Sequence, residues 1–197
     1  DALRGLGREL WLLDVTGDLG IPTFVAVSRQ IDAAEEDILL GCGAHLDARL
    51  AALRAVTELN QTVAVIAAGG DATGGEPAGE EELRWVRTAT IANQPYLAPR
   101  ADAPPRRAAD FPSVAGDDLL ANVTYIRRRL ERAGLEMLIL DQTRPDIGLP
   151  VVKVIVPGLR HWLPRFGPGR LYTVPVELGW LNAPLTEDGL NPFPVPM

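Results

Sequence analysis

The chain has 197 residues, 47% hydrophobic and 23% charged, which are ordinary proportions for a globular protein with one core. Its formal net charge of −7 argues against nucleic acid as the main partner, because phosphate binding needs a basic surface. No apolar run approaches the roughly 18 residues of a membrane-spanning helix, and no signal peptide opens the chain. The single cysteine, Cys42, excludes an internal disulfide, so a cytoplasmic protein is predicted.

Two segments of the chain repeat one pattern of residues. The first copy reads GRELWLLDVTGDLGIPTFVAV over residues 7–27, and the second reads GLEMLILDQTRPDIGLPVVKVIV over residues 134–156. Each copy follows a predicted helix and contains an apolar run, a turn rich in Asp, Thr and Gly, and a valine-rich run. The pattern predicts an α/β fold in which duplicated helix–strand–turn–strand units form mixed sheets packed with helices. The residues of the first copy that recur are Gly7, Glu9, Leu13, Asp14, Thr16, Asp18, Gly20 and Pro22.

The clearest predicted helix spans residues 46–66, where apolar residues recur at spacings of three and four. The sequence GCGAH, residues 41–45, comes directly before it. A glycine-bearing loop that leads into a helix could place backbone N–H groups and the helix dipole against an anion. His45 could then be functional or simply a loop or cap residue, since GCGAH is neither a Walker A sequence nor the dinucleotide-binding GxGxxG.

A polar stripe runs along this helix and comprises Asp47, Arg54, Glu58 and Gln61. The other faces are largely apolar, so the helix is expected to be buried on more than one side, and buried polar groups need partners. A metal-bound polyphosphate would supply them, because Glu58 and Gln61 offer oxygens for Mg²⁺ and Arg54 could meet a phosphate. Alternatively Asp47 is an N-cap, Arg54 and Glu58 form an i,i+4 ion pair, and the remaining glutamine faces water.

Residues from about 69 to 118 are rich in Gly, Pro, Ala and charge, and they predict a long mobile excursion that is either functional or disordered. It carries Trp85 and Tyr96. Further along, residues 147–176 contain basic but no acidic side chains, which indicates the anion-binding end of a site or solvated loop charge. The basic residues are Lys153, Arg160, His161, Arg165 and Arg170.

The chain ends in NPFPVPM, a proline-rich tail over residues 191–197. Three prolines alternate with apolar residues, and their fixed φ favours an extended polyproline-like segment. Such a segment loses little entropy on docking and could hold a terminal carboxylate in one place. From the tail residues alone, a polyproline ligand for a partner protein or an apolar cap on the domain is the preferred interpretation.

Three motifs resemble the YcaO family, in the right order across nearly the whole chain. GCGAHLDARLAALRAVTELNQ, residues 41–61, resembles the second nucleotide-binding helix of the family, in which RAVTELNQ matches RAxTExxQ. LPVVKVIVPGLRHWLPRFGPGRLYTVPVELGW, residues 149–180, resembles the next block of the peptide-cyclising branch. PFPVP, residues 192–196, resembles the PxPxP tail of azoline-forming members.

The resemblance implies an ATP-dependent cyclodehydratase that acts on a ribosomally made precursor peptide. A Cys, Ser or Thr side chain attacks the preceding carbonyl, ATP phosphorylates the oxyanion, and loss of phosphate leaves a thiazoline or oxazoline. Mg²⁺, an E1-like leader-recognition partner and a homodimer are also implied. The alternatives are a relative that forms thioamides or amidines, against which the PFPVP tail argues, and a non-catalytic scaffold that presents the peptide.

The resemblance also assigns residues to roles. Glu58 and Gln61 become metal ligands, and the tail residues enter the active site to position the substrate amide or help remove its proton. The predicted nucleotide-binding residues are Arg54, His45, Arg160 and Arg165, and the predicted catalytic tail residues are Pro192, Pro194, Pro196 and Met197. The family's upstream SxxxE-type glutamate helix has no equivalent here. Residues 1–197 are therefore expected to be the C-terminal portion of a YcaO-type domain, inactive without the N-terminal half.

Overall fold

The computed structural model describes residues 2–67, 80–111, 113–114, 116–159 and 168–191. The chain divides into two compact units. The first unit combines residues 1–16, 20–114 and 191–197, and the second combines residues 17–19 and 115–190. Within the described ranges, no helix has the length and apolar character needed to cross a membrane.

The first unit is an antiparallel three-stranded sheet with helices. Its strands β1 (Arg8–Asp14), β2 (Thr23–Gln30) and β3 (Leu39–Ala44) lie in that order, and Asp14 of β1 pairs with Phe24 of β2, which in turn pairs with Gly43 of β3. Short 3-10 turns occupy Pro95–Leu97 and Ala108–Asp110. The helices and strands are α1 (Ala2–Gly5), β1 (Arg8–Asp14), β2 (Thr23–Gln30), β3 (Leu39–Ala44), α2 (Ala48–Ala67) and α3 (Glu80–Thr88).

Both faces of this sheet are covered. Helix α2 packs on one face, where it buries Phe24 and Ala26 against Leu59. On the opposite face, Trp85 of α3 is fully buried and donates its indole N–H to the carbonyl of Ile38 at 2.9 Å. Burial of the alternate side chains of β2 on both faces explains why its sequence is rich in apolar residues throughout.

The predicted excursion over residues 69–118 contains ordered structure where it is described. Residues 68–79 lie outside the described part of the chain, whereas residues 80–111 supply α3, two 3-10 turns and the buried Trp85. Phe111 also packs edge-to-face on Phe24, with ring centroids 5.2 Å apart. The stretch contributes Trp85, Ala89 and Leu97 to the buried core, and these apolar residues stand in a polar context, so composition alone did not reveal their burial.

The second unit contains the other copy of the repeat. Its elements are α4 (Leu119–Arg132), β4 (Leu138–Asp141), β5 (Val152–Ile155) and α5 (Arg170–Glu177). Strands β4 and β5 pair antiparallel, with Leu138 opposite Ile155, and all their residues are exposed. Asp118 caps α4 by accepting hydrogen bonds from the backbone N–H groups of Leu120 and Ala121.

The turns of the two copies carry the same hydrogen bonds. In the first copy, Asp14 Oδ1 accepts from the N–H of Thr16 at 3.0 Å, and Thr16 Oγ1 accepts from the N–H of Thr23 at 3.1 Å. The second copy repeats these bonds at 2.9 and 3.1 Å. Its residues are Asp141, Thr143 and Val151. The expected α/β class with duplicated helix–strand–turn–strand units is confirmed, and both described sheets are purely antiparallel.

Candidate functional site

The candidate site lies in the first unit, where β3 packs on α2. Two glycines of β3 allow this contact. A Cβ atom at Gly43 would lie 2.2 Å from the carbonyl oxygen of Ala51, and one at Gly41 would lie 2.4 Å from that of Ala55. Real Cβ atoms do not approach so closely, so only glycine lets the backbones of β3 and α2 come together.

This packing corrects the prediction of an anion-binding loop over residues 41–45. Residues Leu39–Ala44 form strand β3, and α2 begins at Ala48 rather than immediately after the glycines. Since β3 hydrogen-bonds to β2, Gly41 and Gly43 serve helix–sheet packing and not a phosphate-binding turn. Glycine occurs near a helix both in anion-binding loops and where a strand packs closely on the helix, and the residue pattern does not distinguish the two.

His45 and Asp47 form the start of α2. Asp47 Oδ1 accepts from the N–H of Arg49 at 2.8 Å, as an N-cap does. His45 Nδ1 accepts from the N–H of Asp47 at 2.9 Å, and the His45 N–H donates to the carbonyl of Pro22 at 3.1 Å. The structure thus gives His45 a capping contact, while its predicted role in nucleotide binding stays a prediction.

Two polar side chains of α2 meet backbone groups of β3, which is an edge strand of its sheet. Glu58 Oε2 accepts from the N–H of Cys42 at 3.0 Å, and Arg54 Nη1 lies 3.4 Å from the carbonyl oxygen of Ala44. The strand edge therefore orients a carboxylate and a guanidinium on one exposed surface of the unit. We call Arg54, Glu58 and Gln61 the α2 polar face.

The α2 polar face is exposed, which corrects the expectation that α2 is buried on more than one side. Arg54, Glu58 and Gln61 all face solvent, as do Leu50 and Leu53. The alternative of an Arg54–Glu58 ion pair is also wrong, because both side chains bind β3 instead. The three residues are close in space on one helix face and can act on the same ligand.

The chemistry of this face suits Mg²⁺ held partly by a phosphate. Mg²⁺ prefers oxygen ligands, usually keeps several waters, and takes one or two carboxylates together with substrate phosphates. Glu58 and Gln61, three residues apart, offer such oxygens, and Glu58 Oε1 makes no hydrogen bond within the described residues. Those residues contain no group of three or more His, Cys, Asp or Glu side chains that would hold a metal by themselves.

Cys42 reports on the charge of Glu58. Burial raises the pKa of the Cys42 thiol, and the carboxylate of Glu58 raises it further. A negative charge disfavours the thiolate, so its removal in Glu58→Gln should lower this pKa and speed alkylation of Cys42 at a given pH. Iodoacetamide labelling followed over pH measures the shift, and Glu136→Gln, at an exposed position of the second unit, is the control. An unchanged profile in Glu58→Gln would contradict the Cys42–Glu58 contact.

Several predicted site residues lie outside the described part of the chain. They are Arg160, His161, Arg165, Pro192, Pro194, Pro196 and Met197. Of the other basic residues between 147 and 176, Lys153 is exposed on β5, and Arg170 pairs with Asp18 at 2.5 Å. The described part of this stretch thus includes one residue engaged in an ion pair within the second unit.

Three polar residues meet elsewhere in the first unit, and of these only Gln94 was not singled out in the sequence. Gln94 Oε1 accepts from Asn191 Nδ2 at 3.0 Å, and Tyr96 also hydrogen-bonds the Asn191 side chain. Gln94 is 2% exposed. Asn191 is the last described residue, directly before PFPVPM. These contacts hold the Asn191 side chain on the first unit.

Comparison with known families gives a match over most of the chain. The sequence model of the YcaO cyclodehydratase family, described as ATP- and Mg²⁺-binding, matches residues 1–160. An uncharacterized protein of Methanothermobacter thermautotrophicus is 31% identical over 166 residues, which cover 81% of this chain and 41% of that protein. An uncharacterized protein from the tfuA 3′ region of Rhizobium leguminosarum bv. trifolii is 32% identical over 173 residues, which cover 81% of this chain and 38% of that protein. The chain thus spans about two fifths of these relatives.

Solved structures give the same picture. The heterocyclase TruD is 49% identical with a TM-score of 0.87, and a heterocyclase in complex with substrate and cofactor is 47% identical with a TM-score of 0.89. Each match covers the whole of this chain and 26% of the other. YcaO from Methanopyrus kandleri, bound with AMPPCP and Mg²⁺, is 26% identical with a TM-score of 0.52 over 77% of this chain and 38% of that one.

Proposed function

Because the chain belongs to the YcaO family, we propose that it forms part of an ATP- and Mg²⁺-dependent enzyme that cyclodehydrates Cys, Ser or Thr residues of a ribosomally made precursor peptide. The α2 polar face carries the proposal, since RAVTELNQ presents a guanidinium, a carboxylate and an amide together on an exposed surface. Over its whole length, the chain is 49% and 47% identical to two heterocyclases, which supports azoline formation as the chemistry.

The reaction proposed has three bond-making steps. A side-chain thiol or hydroxyl adds to the preceding carbonyl carbon, and the resulting oxyanion takes the γ-phosphoryl group of ATP, so that ADP leaves. The C–O bond then breaks with departure of phosphate, the nitrogen gives up its proton, and a C=N bond closes the azoline. Each modified residue loses the elements of one water molecule, because the carbonyl oxygen departs on phosphate and two protons are released, one from the side-chain thiol or hydroxyl and one from the nitrogen.

The α2 polar face would bind ATP and its Mg²⁺. The N–H of Cys42 fixes one oxygen of Glu58, which leaves the other oxygen for Mg²⁺, and Gln61 lies one turn further along α2. When bound, Mg²⁺ neutralises charge on the phosphoryl group during its transfer. Arg54, held near the strand edge, would meet a phosphate oxygen. His45, Arg160 and Arg165 remain predicted nucleotide contacts.

We propose that other parts of the enzyme complete this site. The α2 polar face has one carboxylate, and the described residues hold no larger ligand cluster. Since the chain spans about a quarter of the heterocyclases, we propose that the rest of such an enzyme supplies the other glutamates. The E1-like leader-recognition partner and the homodimer rest on the family resemblance. A cytoplasmic location stays a prediction that rests on the ATP requirement and the single cysteine.

The test combines the longest polypeptide that carries this sequence with Mg²⁺, ATP, a Cys- and Ser-rich precursor peptide and a leader-recognition protein. We expect the peptide to lose the mass of one water molecule per modified residue, with release of ADP and phosphate. An unchanged mass despite tight Mg–ATP binding would indicate a missing partner protein or the route to thioamides or amidines. Absence of ATP binding would contradict the enzymatic proposal and favour the peptide-presenting scaffold.

A further inference from the structure

Strands β4 and β5 pair in the same register as β1 and β2. Asp141 pairs with Val152 at one end of the β4–β5 sheet, as Asp14 pairs with Phe24 at the corresponding end of the first sheet. The correspondence continues along both antiparallel pairs of strands, so the first sheet shows what covers a sheet of this pattern. On β5, Val152 corresponds to Phe24, and Val154 corresponds to Ala26.

The corresponding side chains of the two sheets differ in burial. Phe24 is 7% exposed and Ala26 is completely buried, because α2 packs on them. By contrast, Val152 and Val154 are 60% and 53% exposed. A two-stranded sheet with apolar groups exposed on both faces is marginally stable in water, so other protein is expected to cover it. The exposed apolar side chains on the opposite face are those of Leu138, Leu140 and Ile155.

The outer edge of β5 has no partner strand among the described residues. The carbonyl of Val151 accepts from the N–H of Gln142 at 2.8 Å, which marks a hydrogen-bonded pair directly before β5. Such pairs alternate along an antiparallel ladder, so the backbone N–H groups of Val152 and Val154 point away from β4. The corresponding groups of β2 point toward β3, which pairs with them. The edge of β5 is therefore able to accept a further strand.

Asp141 is an acidic group at one end of the same sheet. Its counterpart Asp14 accepts from Arg106 Nη1 at 2.9 Å, and the Arg106 guanidinium lies 4.2 Å from the ring centroid of Phe111. Hydrogen bonds from Thr143 lower the pKa of Asp141, which forms no ion pair within the described ranges. Its negative charge therefore favours a partner that brings a basic side chain to this end of the sheet.

We propose that the β4–β5 sheet docks a strand followed by a helix from another part of the same enzyme. The strand pairs antiparallel with β5, the helix covers Val152 and Val154, and a basic side chain of this docking element pairs with Asp141. The chain covers 26% of each of the two heterocyclases, so an enzyme of that size has further polypeptide to supply such an element. The inference rests on the proposed function for the presence of that polypeptide, and it states where the polypeptide binds.

The first sheet also indicates the composition of the docking strand. Gly41 and Gly43 of β3 stand opposite the two buried residues of β2, and they let α2 approach the strand closely. A helix that covers β5 in the same way needs small residues in its strand opposite Val152 and Val154. The expected partner is therefore a strand with small residues at alternate positions and a helix with an apolar face.

The first test measures how fast iodoacetamide alkylates a cysteine on the face to be covered. In the longest polypeptide that carries this sequence, we expect Val154→Cys to react on the order of 100-fold more slowly than after unfolding in urea. Val152→Cys is the second variant and should behave alike. The control is Asn182→Cys, at an exposed position outside the sheet, which should react within about threefold of its unfolded rate. Peptide mapping separates each product from that of Cys42.

The second test measures amide hydrogen exchange along β5 in the same polypeptide without any substitution. Pairing with a strand should slow exchange at Val152 and Val154 by about 100-fold or more relative to an unstructured chain. The N–H of Lys153 points toward β4, so it reports whether the β4–β5 sheet itself is formed. Fast exchange at the two valines beside a protected Lys153 would overturn the proposed strand pairing.

The remaining outcomes separate this inference from its rivals. Alkylation of both valine variants as fast as that of Asn182→Cys would overturn the inference. Protection that grows with protein concentration would do so as well, because it would assign the surface to a second copy of the chain. Neither measurement uses ATP or peptide. A protected β5 together with absent ATP binding would therefore overturn the proposed function alone, whereas azoline formation with an unprotected β5 would overturn this inference alone.

Discussion

Glu58→Gln is expected to reduce ATP turnover and azoline formation on the order of 100-fold or more, because it removes the only negative charge of the α2 polar face. Glutamine keeps an oxygen that can accept from the N–H of Cys42, so the strand–helix contact is retained. The side chain is exposed, and the free energy of unfolding should change by less than about 0.5 kcal/mol. Phosphate release measured at saturating peptide gives the turnover.

The control for this experiment is Glu136→Gln, which makes the same charge change at an exposed position of the second unit. It should leave turnover and unfolding unchanged. Peptide binding is measured in parallel with ATP turnover, because a non-catalytic scaffold would bind the peptide without turning over ATP. Loss of turnover in Glu58→Gln with intact peptide binding supports the enzyme, whereas full turnover in this variant would contradict the assignment of Glu58 to Mg²⁺.

Helix α2 was predictable because two independent signals agree on it. Apolar residues recur at helical spacing over residues 46–66, and Asp47 supplies the N-cap that the structure confirms. The repeated turns were predictable for a similar reason, since Asp14 and Thr16 bond their own local backbone, as Asp141 and Thr143 do. Local chemistry of this kind does not depend on distant parts of the chain.

Features that depend on tertiary packing were not predictable. Trp85 stands in a polar stretch, and only its place against β2 shows that it belongs to the core. The hydrogen bond from Asn191 to Gln94 joins residues that are far apart in sequence, and Gln94 belongs to no motif. The glycines of β3 were noticed, but their spacing is compatible with an anion-binding loop as well as with a strand beneath a helix.

Gly43→Ala is expected to destabilise the first unit by about 3 kcal/mol or more. The added Cβ would lie 2.2 Å from the carbonyl oxygen of Ala51 and 2.4 Å from the backbone nitrogen of Ala55. Both atoms belong to the backbone of α2, so no side chain can rotate away, and the helix must separate from β3. Urea unfolding followed by far-ultraviolet circular dichroism measures the loss.

Gly17→Ala is the matched control, because a Cβ there meets nothing within 4 Å and the residue lacks a positive φ. Its unfolding free energy should stay within about 0.5 kcal/mol of wild type. In Gly43→Ala, displacement of α2 also moves Arg54 and Glu58 away from the strand edge that orients them. ATP affinity should therefore fall even in the fraction that remains folded. A Gly43→Ala protein with wild-type unfolding midpoint and wild-type ATP affinity would show that β3 does not hold α2 in this position.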